Sequence, residues 1–144
     1  MTGDPDPHDV AAALRVSIGL LLRQMRQVRV AGELTVPETS ALARLDRGGP
    51  ATSSALARLE QISPQSMGAT LSELEARGFV KRQPDPTDGR RILLSISAAG
   101  RRELNRRRNA RVEQLAKGLA DFTEPELAQL AIAAPLIERL AYHL

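Results

Sequence analysis

Between Gly78 and Ser97 the hydrophobic period of this chain changes, and that change limits the available folds more than any other feature. Upstream, Met67, Leu71 and Leu74 recur at helical spacing. Downstream, Ile92, Leu94 and Ile96 alternate with Arg91, Leu93 and Ser95, the period of two that marks a half-buried strand. Phe79-Val80-Lys81-Arg82-Gln83 reads as a short partner strand. Asp88-Gly89 lies between the two as a hairpin turn signal, since glycine accepts the positive φ that such turns need. The tip they form, within Pro84–Ser97, carries two aspartates and two arginines.

Everywhere else the period is helical. His8 or Asp9 precedes a stripe of Val10, Leu14, Ile18, Leu21, Met25 and Val28, with Gly32 as the stop. Thr35 and Glu38 have capping-box spacing, Pro37 fits a first turn, and Gly48-Gly49 ends a short second helix. Thr52 or Ser53 caps a third helix, whose packing residues are Ala55, Leu56, Leu59 and Ile62. Ser63 followed by Pro64 opens a fourth, which Gly78 ends. After the hairpin, Ser97 caps a long Arg-rich helix over residues 98–120, with Leu104, Val112, Leu115 and Leu119 as its apolar positions. Thr123 and Glu126 form a second capping box, opening a last helix that Pro135 is expected to kink or loosen. The order is four helices, a hairpin and two helices.

A single domain over residues 1–144 fits this length. Residues 35–97 make a compact unit, flanked by long helices over 9–32 and 98–144 with more apolar surface than that unit can cover. Aromatic residues are 2% of the chain, so the core must be aliphatic, which suits helices. Eleven basic residues against three acidic ones lie between Arg77 and Arg111, a local net charge of +8 within a chain of net charge +3. That imbalance points to a polyanion partner. The absence of cysteine removes disulfides and Cys-based zinc sites. The acidic, Pro-rich start is not a signal peptide, and no apolar run reaches the length of a membrane span, so a cytoplasmic protein without membrane contact is expected. No nucleophile motif, phosphate loop or ligand cluster stands out; neither enzyme activity, a metal nor a cofactor is expected.

Two short helices joined by a tight turn, the second opening on Ser-Pro, are a helix-turn-helix arrangement. On the second helix Ser66, Ala69, Thr70, Glu73 and Arg77 lie opposite the apolar stripe, with Gln65 on the flank. Small side chains let a helix approach base edges; Gln pairs with adenine, and Ser or Thr reaches several bases. Glu73 and Arg77 are spaced to pair along the helix. The competing reading is an ordinary solvated face. A charged hairpin directly after this helix favours DNA, because it can reach the adjacent minor groove, where narrow stretches attract Arg.

The segment SALARLDRGGPATSSALARLEQISPQSMGATLSELEARGFVKRQPDPTDGRRILLSISAAGR, above all its last twenty residues, resembles the MarR family of winged helix-turn-helix regulators. Asp88, Arg90, Ser97 and Gly100 fill the places of the family's wing motif, with Ser97 where Thr is more usual. The resemblance implies a mainly α fold with a small β-hairpin wing, flanked by N- and C-terminal dimerisation helices. It implies a homodimeric repressor of near-palindromic double-stranded DNA. It also implies release by a small anionic or phenolic effector. Arg90 becomes the minor-groove residue, Asp88 its orienter, and Arg91 a second candidate for a backbone contact. The full DNA-facing set is Thr52, Ser53, Ser63, Gln65, Ser66, Ala69, Thr70, Arg82, Asp88, Arg90 and Arg91. Turn formation competes as the role of Asp85 and Asp88, and a solvated face is favoured for Arg101–Arg111. The rival class is a winged-helix protein–protein interaction module without DNA-binding activity.

Overall fold

Hydroxyl side chains set most of the helix starts. In the computed structural model, which describes residues 3–27 and 32–144, six helices and one hairpin follow in the expected order. Thr35 and Glu38 close a reciprocal capping box at the head of α2 (Val36–Gly48). Thr52 caps α3 (Ser53–Glu60) by accepting from the Ala55 amide, and Ser63 caps α4 (Pro64–Ala76) by accepting from Ser66. Thr123 and Glu126 repeat the capping box at α6 (Glu124–Ala141). Each such cap satisfies amides that a helix start leaves without partners.

The first helix, α1 (Pro7–Gln27), begins earlier than the His8/Asp9 position expected. Pro7 is suited to a first turn, and the Asp6 carboxylate accepts from the His8 amide at 2.9 Å. Val28, the last residue of the expected stripe, lies outside the described residues. The last helix runs unbroken through Pro135.

The chain forms two compact units, Met1–Asn109 and Ala110–Leu144, and α5 (Ala98–Gly118) passes from one to the other. In the first, the core is aliphatic, as the scarcity of aromatics requires. Ala41, Leu42 and Leu45 of α2, Leu56 and Ala57 of α3, and Met67, Leu71 and Leu74 of α4 are fully buried together with Val80, Leu94 and Leu104. Leu59 and Ile62, expected to pack, are instead exposed. With only eight residues, α3 has one buried face, which Leu56 and Ala57 occupy. Gln61 then turns the chain in the left-handed conformation, φ 54°, and carries Ile62 away.

Strands β1 (Val80–Pro84) and β2 (Ile92–Ile96) pair antiparallel, from Val80 opposite Ile96 to Pro84 opposite Ile92. Leu94 is buried and Ile96 packs against the core, while Ile92 at the outer end is exposed. On its other edge β2 exchanges two backbone hydrogen bonds with Ala51, at 2.8 and 3.0 Å, tying the α2–α3 connection into the sheet. Ser97 joins the hairpin to α5. Its buried hydroxyl donates to the Gly78 carbonyl at 2.5 Å and accepts from the Gly100 amide at 3.0 Å. Gly100 sits so close to the hairpin that a Cβ there would stand 2.1 Å from the Phe79 carbonyl oxygen.

In the second unit every residue of α6 is at least partly accessible. Leu127, Leu130, Ile132, Leu136, Ile137, Leu140 and Tyr142 are all exposed. In the first unit α1 likewise has no buried residue, and Val10, Val16, Leu20, Leu21 and Leu22 are exposed. No described helix is long and apolar enough to cross a membrane.

Candidate nucleic-acid interface

Burial of Met67, Leu71 and Leu74 fixes which side of α4 faces solvent. Ser63, Gln65, Ser66 and Ala69 are exposed on its first turns, and Thr70 is half-buried. Ser63 and Ser66 are linked to each other twice. Ser63 Oγ accepts from the Ser66 amide at 3.1 Å and donates to Ser66 Oγ at 2.9 Å. The helix start is therefore rigid, while Gln65 has no side-chain hydrogen bond among the described residues and is available to an outside partner.

At the other end of α4, Arg77 does not pair with Glu73. Its guanidinium turns to Glu38 of α2 at 3.7 Å, donates to the Gly32 carbonyl at 2.6 Å and lies 4.8 Å from the centroid of the Phe79 ring. The nearly buried Glu38 carboxylate offers a stronger electrostatic partner than a fully solvated i, i+4 neighbour. Arg107 of α5 donates to the Leu34 and Thr35 carbonyls nearby. The end of the helix is anchored to the head of α2.

The hairpin tip is not built by glycine. Among the described residues Gly32, Gly49 and Gly78 have positive φ and Gly89 does not, so the expected role of Gly89 is corrected. Aspartates shape the tip instead. Asp85 Oδ1 accepts from the Thr87 amide at 2.9 Å and from the Thr87 hydroxyl at 2.8 Å; Asp88 Oδ1 accepts from the Arg90 amide at 3.1 Å. Side-chain acceptors two residues back are the usual Asx-turn device. The two Thr87 bonds, with lesser help from Arg91 at 4.0 Å, hold the Asp85 carboxyl below the usual carboxylate range. Asp88 thus fixes the Arg90 backbone rather than its guanidinium. The exposed Arg90 side chain has no hydrogen-bond or ion-pair partner among the described residues.

The basic excess between Arg77 and Arg111 is partly internal. Acidic residues elsewhere supply its partners: Glu75 holds Arg82, and Asp46 of α2 holds Arg101 at 3.0 Å and Arg108 at 3.8 Å. Glu103 holds Arg106, which keeps the Glu103 carboxyl below its ordinary range and raises the Arg106 guanidinium. Arg82, one of the expected DNA-facing residues, is therefore tied to α4, whereas Arg90 is not.

Thr52, Ser53 and Arg91 come together along one groove of about 570 Å³, with Pro64 at the head of α4. The same groove brings in Ser54, Arg58 and Ile92, which are not among the residues expected to face DNA. Their signal was present: Ser54 and Arg58 are four apart on α3, on the face away from Leu56 and Ala57. Among the described residues no group of three or more His, Cys, Asp or Glu side chains could hold a metal ion.

Comparison with known proteins identifies the family and the fold. Residues 34–92, which run from the head of α2 to the start of β2, match the profile of the MarR family. The chain is 36% identical over 128 residues to an uncharacterised HTH-type transcriptional regulator of Mycobacterium bovis, covering 89% of this chain and 90% of the relative. It is 35% identical over 120 residues to an HTH-type transcriptional repressor of Mycobacterium tuberculosis, covering 83% and 81%. A crystal structure of a putative transcriptional regulator from Pseudomonas aeruginosa superposes with a TM-score of 0.78 at 34% identity, over 96% of this chain and 98% of that one. With its winged helix-turn-helix unit and helices on either side, the chain belongs to the MarR family of transcriptional regulators.

Proposed function

We propose that this regulator is a repressor that binds a near-palindromic operator as a homodimer. The observation that carries this reading is the pairing of two features on one unit. One is a rigid α4 start that exposes Gln65, Ser66 and Ala69; the other is an Arg90 side chain without an internal partner at a tip ordered by Asp85 and Asp88. In this proposal α4 enters the major groove, Gln65 and Thr70 read base edges, and Arg90 enters the adjacent minor groove. Thr52, Ser53, Ser63 and Arg91 meet the backbone, and Arg82 contributes through its position beside α4. Repression is supported by the named role of the M. tuberculosis relative.

Dimerisation is supported by the exposed aliphatic residues of α1 in the first unit and of α6 in the second, each an apolar face that a second copy would cover. A small anionic or phenolic effector that lowers duplex affinity completes the proposal. Sedimentation at micromolar concentration, followed by duplex titration across salt concentrations, tests it. A dimer whose affinity falls steeply with salt is expected. A monomer, or binding indifferent to salt, would favour the protein–protein module instead.

A further inference from the structure

We infer that the groove between α3, the head of α4 and the hairpin is a seat for one DNA backbone phosphate, with Arg58 as its principal ligand. This rests on the proposal that α4 reads duplex DNA. The Arg58 guanidinium has no hydrogen-bond or ion-pair partner among the described residues. The carboxylate closest to it in sequence, Glu60, is already held by Arg44 at 2.6 Å, and Arg44 also donates to the Leu59 carbonyl at 3.1 Å. Nothing within α3 therefore neutralises Arg58.

The second guanidinium of the groove, Arg91, comes from the hairpin and reaches Asp85 only at 4.0 Å. Ser53 and Ser54 add hydroxyl donors, and among the described residues no carboxylate lines the groove. Such a lining selects an acceptor-only anion over a cation or a neutral ligand. Its apolar parts, Pro64 and Ile92, suit the sugar of a nucleotide rather than a hydrated free ion. Because Pro64 is the first residue of α4, the groove opens beside Gln65. A duplex that takes α4 in its major groove presents its backbone at that point. Arg58 and Arg91 would then grip the strand from two separate elements and fix the depth of α4.

The test compares wild type with Arg58→Gln and Arg58→Lys on a random duplex and on the promoter duplex. Arg58 is exposed, so unchanged melting is expected and verifies folding. If Arg58→Gln leaves one phosphate per protomer without its cation, the salt slope falls by about two units. The ratio of affinities at 50 and 200 mM salt then shrinks roughly tenfold, equally on both duplexes, and Arg58→Lys retains most of the slope. Replacing single phosphates by methylphosphonates should locate one position per half-site at which Arg58→Gln costs nothing further. An unchanged slope in Arg58→Gln, beside a reduced one in Arg90→Ala, would overturn the groove while leaving DNA binding intact. Failure of wild type to bind any duplex would overturn both. A groove that serves a free anion would show competition by inorganic phosphate beyond its ionic strength, abolished by Arg58→Gln, with the duplex slope unchanged; that result also overturns the inference.

Discussion

Replacing Gly100 by Ala should destabilise the protein, and the structure supplies the magnitude. The added Cβ would lie 2.1 Å from the Phe79 carbonyl oxygen, 3.0 Å from its carbon and 3.1 Å from Ile96 Cγ1. An ordinary contact needs more than a further ångström. The obstacle is backbone, so no rotamer change relieves it. The same Phe79 oxygen accepts from the Ser97 amide at 2.9 Å, and Ser97 in turn bonds Gly78 and Gly100. Moving the hairpin away therefore strains a set of three hydrogen bonds as well as the packing of Ile96. Overpacking costs about 1–3 kcal/mol, and stretching three hydrogen bonds worth about 1 kcal/mol each forfeits part of that sum, so roughly 3 kcal/mol is expected. In a chain of this size that lowers the melting temperature by about 10 °C. Gly68→Ala on α4 is the control: a Cβ there meets nothing within 4 Å, and the change should stabilise by about 0.5–1 kcal/mol. Thermal unfolding followed by circular dichroism reads both. A Gly100→Ala protein that melts within a degree or two of wild type would refute the reasoning.

Three further outcomes are expected. Arg90→Ala should weaken duplex binding and reduce its salt slope by about one unit for each phosphate that a protomer no longer neutralises, without lowering the melting temperature, because the exposed side chain leaves no cavity. Gln65→Ala and Thr70→Ala should each cost about 1–3 kcal/mol on the promoter site and little on random duplex, measured by competition; equal losses on both would show phosphate contact instead. The pH dependence of the tip follows from Asp85, whose folded carboxyl lies below the usual range. Its contribution is present above the unfolded value and is lost as pH falls through the lower folded one. The Thr87 amide resonance should therefore stay in place through mildly acidic pH and shift only below the ordinary Asp range.

The parts of the fold that were legible in the sequence are those written locally. Ser63 announces a helix start because Pro64 suits a first helical position, and Thr35 with Glu38 and Thr123 with Glu126 do so because a cap is an interaction between residues three apart. Met67, Leu71 and Leu74 announce the buried side of α4 for the same reason. What could not be read depends on distant partners. The single Ala51–Leu94 bridge has no period to detect. Arg77 chooses Glu38 over Glu73, and Asp46 neutralises two arginines of α5, only because folding brings those carboxylates close. The hairpin tip misled through its composition: Asp-Gly signals a glycine turn, yet two Asx bonds shape the loop without positive φ at Gly89. Of the expected site residues, Arg82 was obscured in this way, since nothing local indicates that Glu75 holds it. The spacing of Ser54 and Arg58 shows a shared face of α3, but not the groove, which Arg91 and Ile92 of the hairpin complete.

Nuclease footprinting of the purified full-length protein on the promoter of its own gene tests the central claim most directly. Two α4 helices related by a dimer two-fold should protect two half-sites whose centres lie about one helical turn apart, roughly 34–36 Å. Protection should weaken with salt, and Arg90→Ala should lose it first at the flanks of each half-site. Protection of a single half-site by a monomer, or no protection at micromolar protein and low salt, would contradict the account.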